Sequence, residues 1–127
     1  MKYLLDSHAV IWYFEDSQKL PQKTVELIDN SEIGVYISSA SLWEIAIKMG
    51  LGKLDIKFSF DELLVAVEAS DFDILQIENE YLKHLSDLPQ IHKDPFDRLL
   101  IATALAENLT LITTDENIQQ YNVKWTW

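Results

Sequence analysis

Residues 94–115 read DPFDRLLIATALAENLTLITTD, and this stretch combines the strongest helix signal in the chain with a strand and an acid. Asp94 precedes Pro95, and proline favours the first turn of a helix while it pushes the residue before it out of the helical region. The apolar spacing that follows predicts a helix to about Glu107, and Thr110 to Thr113 predicts a strand. A helix that leads directly into a buried strand is typical of α/β proteins.

The rest of the chain continues this alternation. Further strands are predicted at residues 2–5, 35–38 and 73–77, with an edge strand at 123–125. Further helices are predicted at 8–15, 21–29, from Ser39 or Ser41 to near Gly50, at 61–69, at 78–85 and shortly after Asp115, with loops at 51–57 and 89–93. The alternation predicts a three-layer α/β/α fold with a central, mostly parallel sheet covered on both faces. A length of 127 residues predicts one domain, residues 1–127.

Composition excludes several classes of protein. The chain contains no cysteine, which rules out disulfides, zinc ribbons and thiolate-bound metals. No apolar stretch approaches the roughly 20 residues needed to cross a bilayer. The charge at Asp6 interrupts the N-terminal apolar run too early for a signal peptide, so we expect a cytoplasmic protein with no membrane partner.

The formal net charge of −11 comes from 21 acidic and 10 basic residues, and by itself it argues against nucleic-acid binding. A cation held among the carboxylates would offset part of that charge. A basic partner protein would offset more. Some basic residues are also grouped, namely Lys48, Lys53 and Lys57, with Lys93 and Arg98 beside the acidic motif.

Four carboxylates lie where apolar runs give way to helix starts: Asp6, Glu44, Asp97 and Asp115. The carboxyl ends of parallel strands share one edge of a sheet, and open α/β sheets bind ligands at that edge. Acids gathered there would repel each other unless a hard cation lay among them, and Mg²⁺ prefers oxygen ligands. Such a site supports phosphodiester hydrolysis, in which the cation activates a water and stabilises the leaving oxygen.

Each acid also has a structural explanation. Asp6 and Asp115 are suited to cap the helices that follow them, and Asp94 is suited to cap the helix with Asp97 in its first turn. Ser41 and Glu44 match the capping-box spacing, which makes Glu44 the least secure ligand, one that could act through water. Caps are needed at both ends of a sheet, whereas these acids gather at one edge, so the set as a whole favours a metal site.

The other candidate catalytic or ligand residues have weaker support. Ser7 beside Asp6 could support a metal-bound water or a phosphate, or could cap a helix. The scattered histidines and the tryptophans at helical spacing are predicted as surface, core or subunit-interface residues rather than ligands: His8, His84, His92, Trp12 and Trp43. The sequence contains no Gly-x-Ser-x-Gly elbow and only three glycines, too few for a phosphate-cradling loop.

Four segments resemble the PIN-domain family, and within it the VapC-like ribonuclease toxins of bacterial type II toxin–antitoxin pairs. They are LLDSHA at 4–9, SSASLWEIAIK at 38–48, HKDPFDRLLIATA at 92–104 and LITTDE at 111–116. The segments span nearly the whole chain in the family's order.

The resemblance implies an endoribonuclease that uses Mg²⁺, with Mn²⁺ able to substitute. It implies an RNA substrate, homodimerisation and a cognate antitoxin whose tail lies over the active site. The family's four catalytic and metal-binding acids match Asp6, Glu44, Asp97 and Asp115. Asp94 is a supporting candidate, and Ser7 keeps the hydroxyl of the threonine that many relatives carry. The RNA cleaved, the number of ions and the antitoxin class stay open.

Two alternatives belong to other classes of protein. The first is a non-catalytic α/β regulatory binding module whose acids are only helix caps. The second is an aspartyl-phosphate enzyme or receiver, which also places acids at strand ends. Against the second, Asp6 to His8 lacks the second aspartate of a dehalogenase-type loop, and Thr113 to Asp115 occupies the position where a receiver needs lysine.

Overall fold

Five parallel strands form the central sheet in the computed structural model, which describes residues 2–30 and 34–127. The strands are β1 (Tyr3–Leu5), β2 (Val35–Ser38), β3 (Asp73–Leu75), β4 (Thr110–Ile112) and β5 (Trp125–Thr126). Their order is β3-β2-β1-β4-β5, and every adjacent pair is parallel. β1 is central, with Leu5 in register with Ile37 on one side and Ile112 on the other.

Seven helices accompany the sheet within the described residues. They are α1 (Ser7–Phe14), α2 (Gln22–Asp29), α3 (Ser39–Gly50), α4 (Phe60–Ala69), α5 (Asn79–Asp87), α6 (Pro95–Glu107) and α7 (Glu116–Gln119). None of the helices in these ranges is both long and apolar enough to cross a bilayer.

Alternation along the strands supplies both faces of the sheet, because successive side chains point to opposite sides. Leu5, Ile37 and Ile112 face one side, where they form a core with residues of α1 to α4. Leu4 and Leu111 face the other side and pack against α6 and α7. The predicted three-layer α/β/α fold is confirmed, and every strand pair proves parallel.

α6 begins and ends as its sequence dictates. The Asp94 carboxylate accepts hydrogen bonds from the backbone N–H groups of Phe96 (2.9 Å) and Asp97 (3.0 Å), with proline at the first helical position. Asn108 ends the helix in the left-handed conformation, with φ of 54°, which asparagine tolerates better than most residues. The Thr110 N–H then donates to the Lys2 carbonyl, so β4 starts directly beside β1.

α3 begins at Ser39, whereas a capping box made by Ser41 and Glu44 would need Ser41 as the N-cap residue. The Ser38 hydroxyl at the end of β2 accepts from the Ala40 N–H, and the helix starts at Ser39. Glu44 therefore lies in the second turn, beyond reach of the helix N-terminus, and the predicted Ser41–Glu44 box is wrong. A capping box does begin α4, where the Ser59 hydroxyl and the Glu62 carboxylate each accept from the other's backbone N–H.

Candidate functional site

Asp6 lies directly after the central strand. Its N–H donates to the Ile112 carbonyl at 3.1 Å, and its carboxylate caps α1 by accepting from the Ala9 N–H at 2.8 Å. The side chain is almost completely buried, at 4% exposure. Burial raises the pKa of the Asp6 carboxyl above its usual value, and the charge of Asp115 adds to this, although hydrogen bonds from Thr113 and Ala9 act in the opposite direction.

Glu44 projects from α3 into the same region and is equally buried, at 4% exposure. The Ser7 hydroxyl donates to its Oε1 at 2.5 Å, and the Lys48 ammonium, one helical turn further on, lies 2.6 Å from its Oε2. The hydrogen bond to Glu44 raises the pKa of Lys48, and the charges of Asp94 and Asp97 add to that effect. Ser7 thus contacts Glu44 across 37 residues, while Asp6 rather than Ser7 caps α1.

Asp97 lies in the first turn of α6, with 16% of its side chain exposed. Burial, the largest cause, and the charges of Asp94, Asp115 and Glu44 together raise the pKa of its carboxyl to about 7, while a hydrogen bond with His92 opposes them. These couplings mean that the predicted acids act on one another electrostatically. A carboxyl group with such a pKa gains from a cation beside it.

Asp115 caps the short α7. Its Oδ1 accepts from the Asn117 N–H at 2.8 Å, and its own N–H donates to the Thr113 hydroxyl at 3.1 Å. The Asp115 charge raises the pKa of both Asp6 and Asp97, which ties the end of β4 to the ends of β1 and the start of α6. The predicted caps at Asp6, Asp94 and Asp115 are therefore present, at the same edge of the sheet as the acidic group.

Sequence reasoning missed two contacts of this group. His92 Nε2 lies 2.9 Å from Asp97 Oδ2, although His92 was predicted to be a surface or core residue without a role at the site. The available signal was its position two residues before Asp94 in the HKDPFD segment. Lys48 was grouped only with the basic residues Lys53 and Lys57, although its spacing of four from Glu44 is that of a helical ion pair.

A cluster of possible metal ligands lies at the start of α6, where His92, Asp94 and Asp97 each offer one ligand atom within 4.8 Å of the others. Of the four predicted acids this cluster includes Asp97, while Asp6, Glu44 and Asp115 lie outside it. Two carboxylate oxygens and one imidazole nitrogen suit a divalent cation. Among the described residues Lys48 is the cation that forms an ion pair with one of the predicted acids, apart from His92 if it is protonated. The group therefore carries excess negative charge that a divalent ion would neutralise.

Arg98 and the two tryptophans have other surroundings. Arg98 was grouped with Lys93 as a basic residue beside the acidic motif; it is buried, and its guanidinium donates to the Pro89 carbonyl and the Tyr121 hydroxyl. Trp43 was assigned to the core or to a subunit interface; at 56% exposure it is not in the core, and the interface assignment stays a prediction. Its ring makes an edge contact with Phe96. Trp12 does pack against the core that contains Leu5.

Solved structures share the fold over nearly the whole chain. VapBC2 from Rickettsia felis, bound to a DNA fragment from their promoter, matches with a TM-score of 0.75 and 20% identity over 99% of this chain and 98% of that chain. DNA-bound VapBC from Salmonella typhimurium gives a TM-score of 0.72 and 19% identity, with coverage of 99% and 97%. FitAcB from Neisseria gonorrhoeae matches with a TM-score of 0.68 and 21% identity, over 98% of this chain and 96% of that chain. No curated protein matches the sequence.

The family model described as PIN domain matches residues 3–124, a range that includes all four predicted acids. This match argues against the receiver alternative and bears out the resemblance read from the sequence. The chain belongs to the PIN domain family.

Proposed function

We propose that the chain is a Mg²⁺-dependent endoribonuclease that cleaves RNA phosphodiester bonds as the toxin of a type II toxin–antitoxin pair. PIN domains are generally nucleases that use divalent metals. The observation that carries the proposal is the placement of acidic side chains at the carboxyl edge of the sheet, where Asp6 and Glu44 are 4% exposed and Asp97 lies within ligand distance of Asp94 and His92. An acidic group of this kind has no use in a stable core, because like charges that lack a cation destabilise it.

Asp6, Asp97 and Asp115 would hold the ion directly, and Glu44 would hold it directly or through water. Once bound, the cation would activate a water and stabilise the leaving oxygen of an in-line displacement. Ser7 and Lys48 hold the Glu44 carboxylate in one orientation. Asp94 supports the site indirectly, because its cap bond to the Asp97 N–H fixes the first turn of α6.

Lys48 has a second part in this proposal. Its side chain is 36% exposed and reaches from α3 to the acidic group, so it can meet a substrate phosphate beside the cation. With a net charge of −11, the chain offers little general attraction for an RNA backbone. The contacts at the site itself would then have to supply most of the affinity, which predicts weak binding in the absence of metal.

An antitoxin is the second partner in the proposal. The solved structures with this fold include VapBC complexes and a toxin–antitoxin complex from Klebsiella pneumoniae. A tail that places a basic residue among the four acids would neutralise them in the way a cation does. The expected result is that purified antitoxin peptide and Mg²⁺ compete for the site, measured by titration of one in the presence of the other.

Homodimerisation is also part of the proposal. Trp43 and Ile47 on α3 and Leu51 at its C-cap are exposed and spaced by four residues, so they form one apolar stripe. We expect a second copy of the chain to cover it. Ile47→Glu should shift the sedimentation of the chain from dimer to monomer, whereas Val65→Glu, at an exposed position on α4, should not. A wild-type chain that sediments as a monomer at micromolar concentration would contradict this.

The regulatory binding module remains a second candidate, because two of the four acids, Asp6 and Asp115, cap helices, as does the supporting Asp94. Glu44 weighs against it, since this buried carboxylate caps nothing and instead binds Ser7 and Lys48. The deciding experiment is RNA cleavage by purified chain with and without Mg²⁺. We expect Asp97→Asn to abolish cleavage while circular dichroism is unchanged, and Glu68→Gln, at an exposed position on α4, to retain it.

A further inference from the structure

His92 adds an imidazole to a site that the family resemblance describes by its acids. Its Nε2 lies 2.9 Å from Asp97 Oδ2, and ligand atoms of His92, Asp94 and Asp97 lie within 4.8 Å of one another. Adjacent ligands of an octahedral ion at about 2.1 Å are about 3 Å apart, so this nitrogen and oxygen are spaced like two neighbouring ligands. We propose that His92 is a nitrogen ligand of the cation, and that it raises the affinity of the site for Mn²⁺ more than its affinity for Mg²⁺.

A nitrogen ligand discriminates between ions in a way that carboxylates do not. Mg²⁺ prefers oxygen and gives up its water reluctantly, whereas imidazole suits transition metals, for which affinity rises from Mn²⁺ onward. The same pocket without His92 would present only oxygen. The inference rests on the proposed function, because it requires that a cation binds at the acids. It goes further in stating for which ion His92 raises the affinity more.

The loop before α6 is built to hold this imidazole in place. The His92 N–H donates to the Tyr121 hydroxyl at 2.8 Å, and the same hydroxyl accepts from Arg98 Nη1 at 3.1 Å. Arg98 also donates to the carbonyls of Pro89 (2.8 Å) and Leu88 (3.5 Å). Arg98 and Tyr121 therefore fix both ends of residues 88–92.

The cost of this arrangement indicates that it is not incidental. Arg98 is 9% exposed, and among the described residues it forms no ion pair with a carboxylate. A buried guanidinium without a counter-charge is costly, and here loop carbonyls and a tyrosine hydroxyl satisfy it instead. Arg98 and Tyr121 are thus positioning residues, which act on the cation through His92.

The competing interpretation is that His92 only orients Asp97 by a hydrogen bond. An orienting histidine would affect every cation alike, whereas a ligand would affect Mn²⁺ more than Mg²⁺. His84 provides a matched control, because it lies on α5, 3.8 Å from the exposed Glu80 and outside the acidic group.

The experiment uses the full chain, freed of metal with a chelator and then titrated separately with Mn²⁺ and Mg²⁺ by calorimetry. Pulsed electron paramagnetic resonance of the Mn²⁺ complex then reports whether a ¹⁴N nucleus is bound to the metal. We expect ¹⁴N modulation in the wild type. His92→Ala should lose it and bind Mn²⁺ about tenfold more weakly, with Mg²⁺ affinity changed by less than about twofold. His84→Ala should match the wild type for both ions.

Tyr121→Phe tests the positioning role separately, because it removes only the hydroxyl that holds the His92 N–H. Thermal unfolding should confirm the fold, while Mn²⁺ affinity falls by up to about tenfold. The proposal fails if wild-type Mn²⁺ shows no nitrogen, or if His92→Ala weakens both ions equally. If the wild type binds neither ion, the metal dependence of the proposed function fails as well; binding of both ions without nitrogen overturns only the role of His92.

Discussion

Asp97→Asn is expected to stabilise the metal-free chain, although we propose Asp97 as a residue essential for activity. Burial, together with the charges of Asp94, Asp115 and Glu44, raises the pKa of the Asp97 carboxyl from 3.8 to about 7. Folding therefore favours the protonated carboxyl. The contribution of Asp97 to folding stability is fully present below pH 3.8, and it is lost as the pH rises through about 7.

The magnitude follows from this difference in pKa. Above pH 7, the ionised carboxylate costs the folded state about 4 kcal/mol when each tenfold change in acidity is worth 1.36 kcal/mol. Water reaches the 16% of the side chain that is exposed and screens part of the charge. We therefore expect Asp97→Asn to gain about 1–3 kcal/mol in free energy of unfolding at pH 8. The gain should shrink towards pH 4.

Urea denaturation in chelator at pH 8 and at pH 5 measures this difference. Added Mg²⁺ or Mn²⁺ should reverse the order, because a bound ion stabilises the native wild type and finds a weaker site in the variant. Glu68→Gln changes the formal charge equally at an exposed position and should alter stability by less than about 0.5 kcal/mol. The reasoning is refuted if Asp97→Asn is less stable than the wild type in chelator at pH 8. It is also refuted if the cation stabilises Asp97→Asn and the wild type by the same amount.

Three further predictions concern other groups. Asp6→Asn should abolish RNA cleavage while circular dichroism stays unchanged, because asparagine can still cap α1. Lys48→Met should lower the free energy of unfolding in chelator by about 1–3 kcal/mol, since it leaves Glu44 with an unpaired buried oxygen; urea denaturation measures this, and an unchanged midpoint would contradict it. Burial raises the pKa of Tyr81 from 10.0 to about 12, so it adds stability that is present below pH 10 and lost as the pH rises towards 12. Thermal melts from pH 9 to 12 should show a shallower decline for Tyr81→Phe.

The centre of the fold was readable from the sequence because its strands are apolar on both faces. Leu4 and Leu5 serve opposite cores, and such runs stand out without any knowledge of their neighbours. The edge strands were predicted less well. β3 ends at Leu75 rather than at 77, and β5 begins at Trp125 rather than at 123. An edge strand pairs on one side only, so backbone hydrogen bonds rather than hydrophobicity set its limits.

The site residues also divide into those that local sequence predicts and those that depend on distant contacts. Asp6, Asp97 and Asp115 were predicted from their place in strand–helix connections, which is local information. The contact of Ser7 with Glu44 spans 37 residues, and no local pattern reports it. The burial of Arg98 could not be predicted from the sequence, because arginine is usually exposed and this burial depends on Tyr121, which lies 23 residues further on.

Capping and metal binding need not compete for these acids. In Asp6, Asp94 and Asp115, the helix-capping hydrogen bonds engage Oδ1, so a cap can fix the carboxylate while the second oxygen meets a ligand. This separates the two roles experimentally, because asparagine caps a helix about as well as aspartate but carries no charge.

Asp115 suits this comparison, because the helix that it caps, α7, has only four residues. Asp115→Asn should keep the free energy of unfolding in chelator within about 0.5 kcal/mol of the wild-type value, whereas Asp115→Ala should lower it by about 1 kcal/mol because the cap is lost. Both variants should lose Mg²⁺-dependent stabilisation and RNA cleavage. If the acids were only caps, as the binding-module alternative requires, Asp115→Asn would behave as the wild type in every assay and Asp115→Ala alone would be impaired.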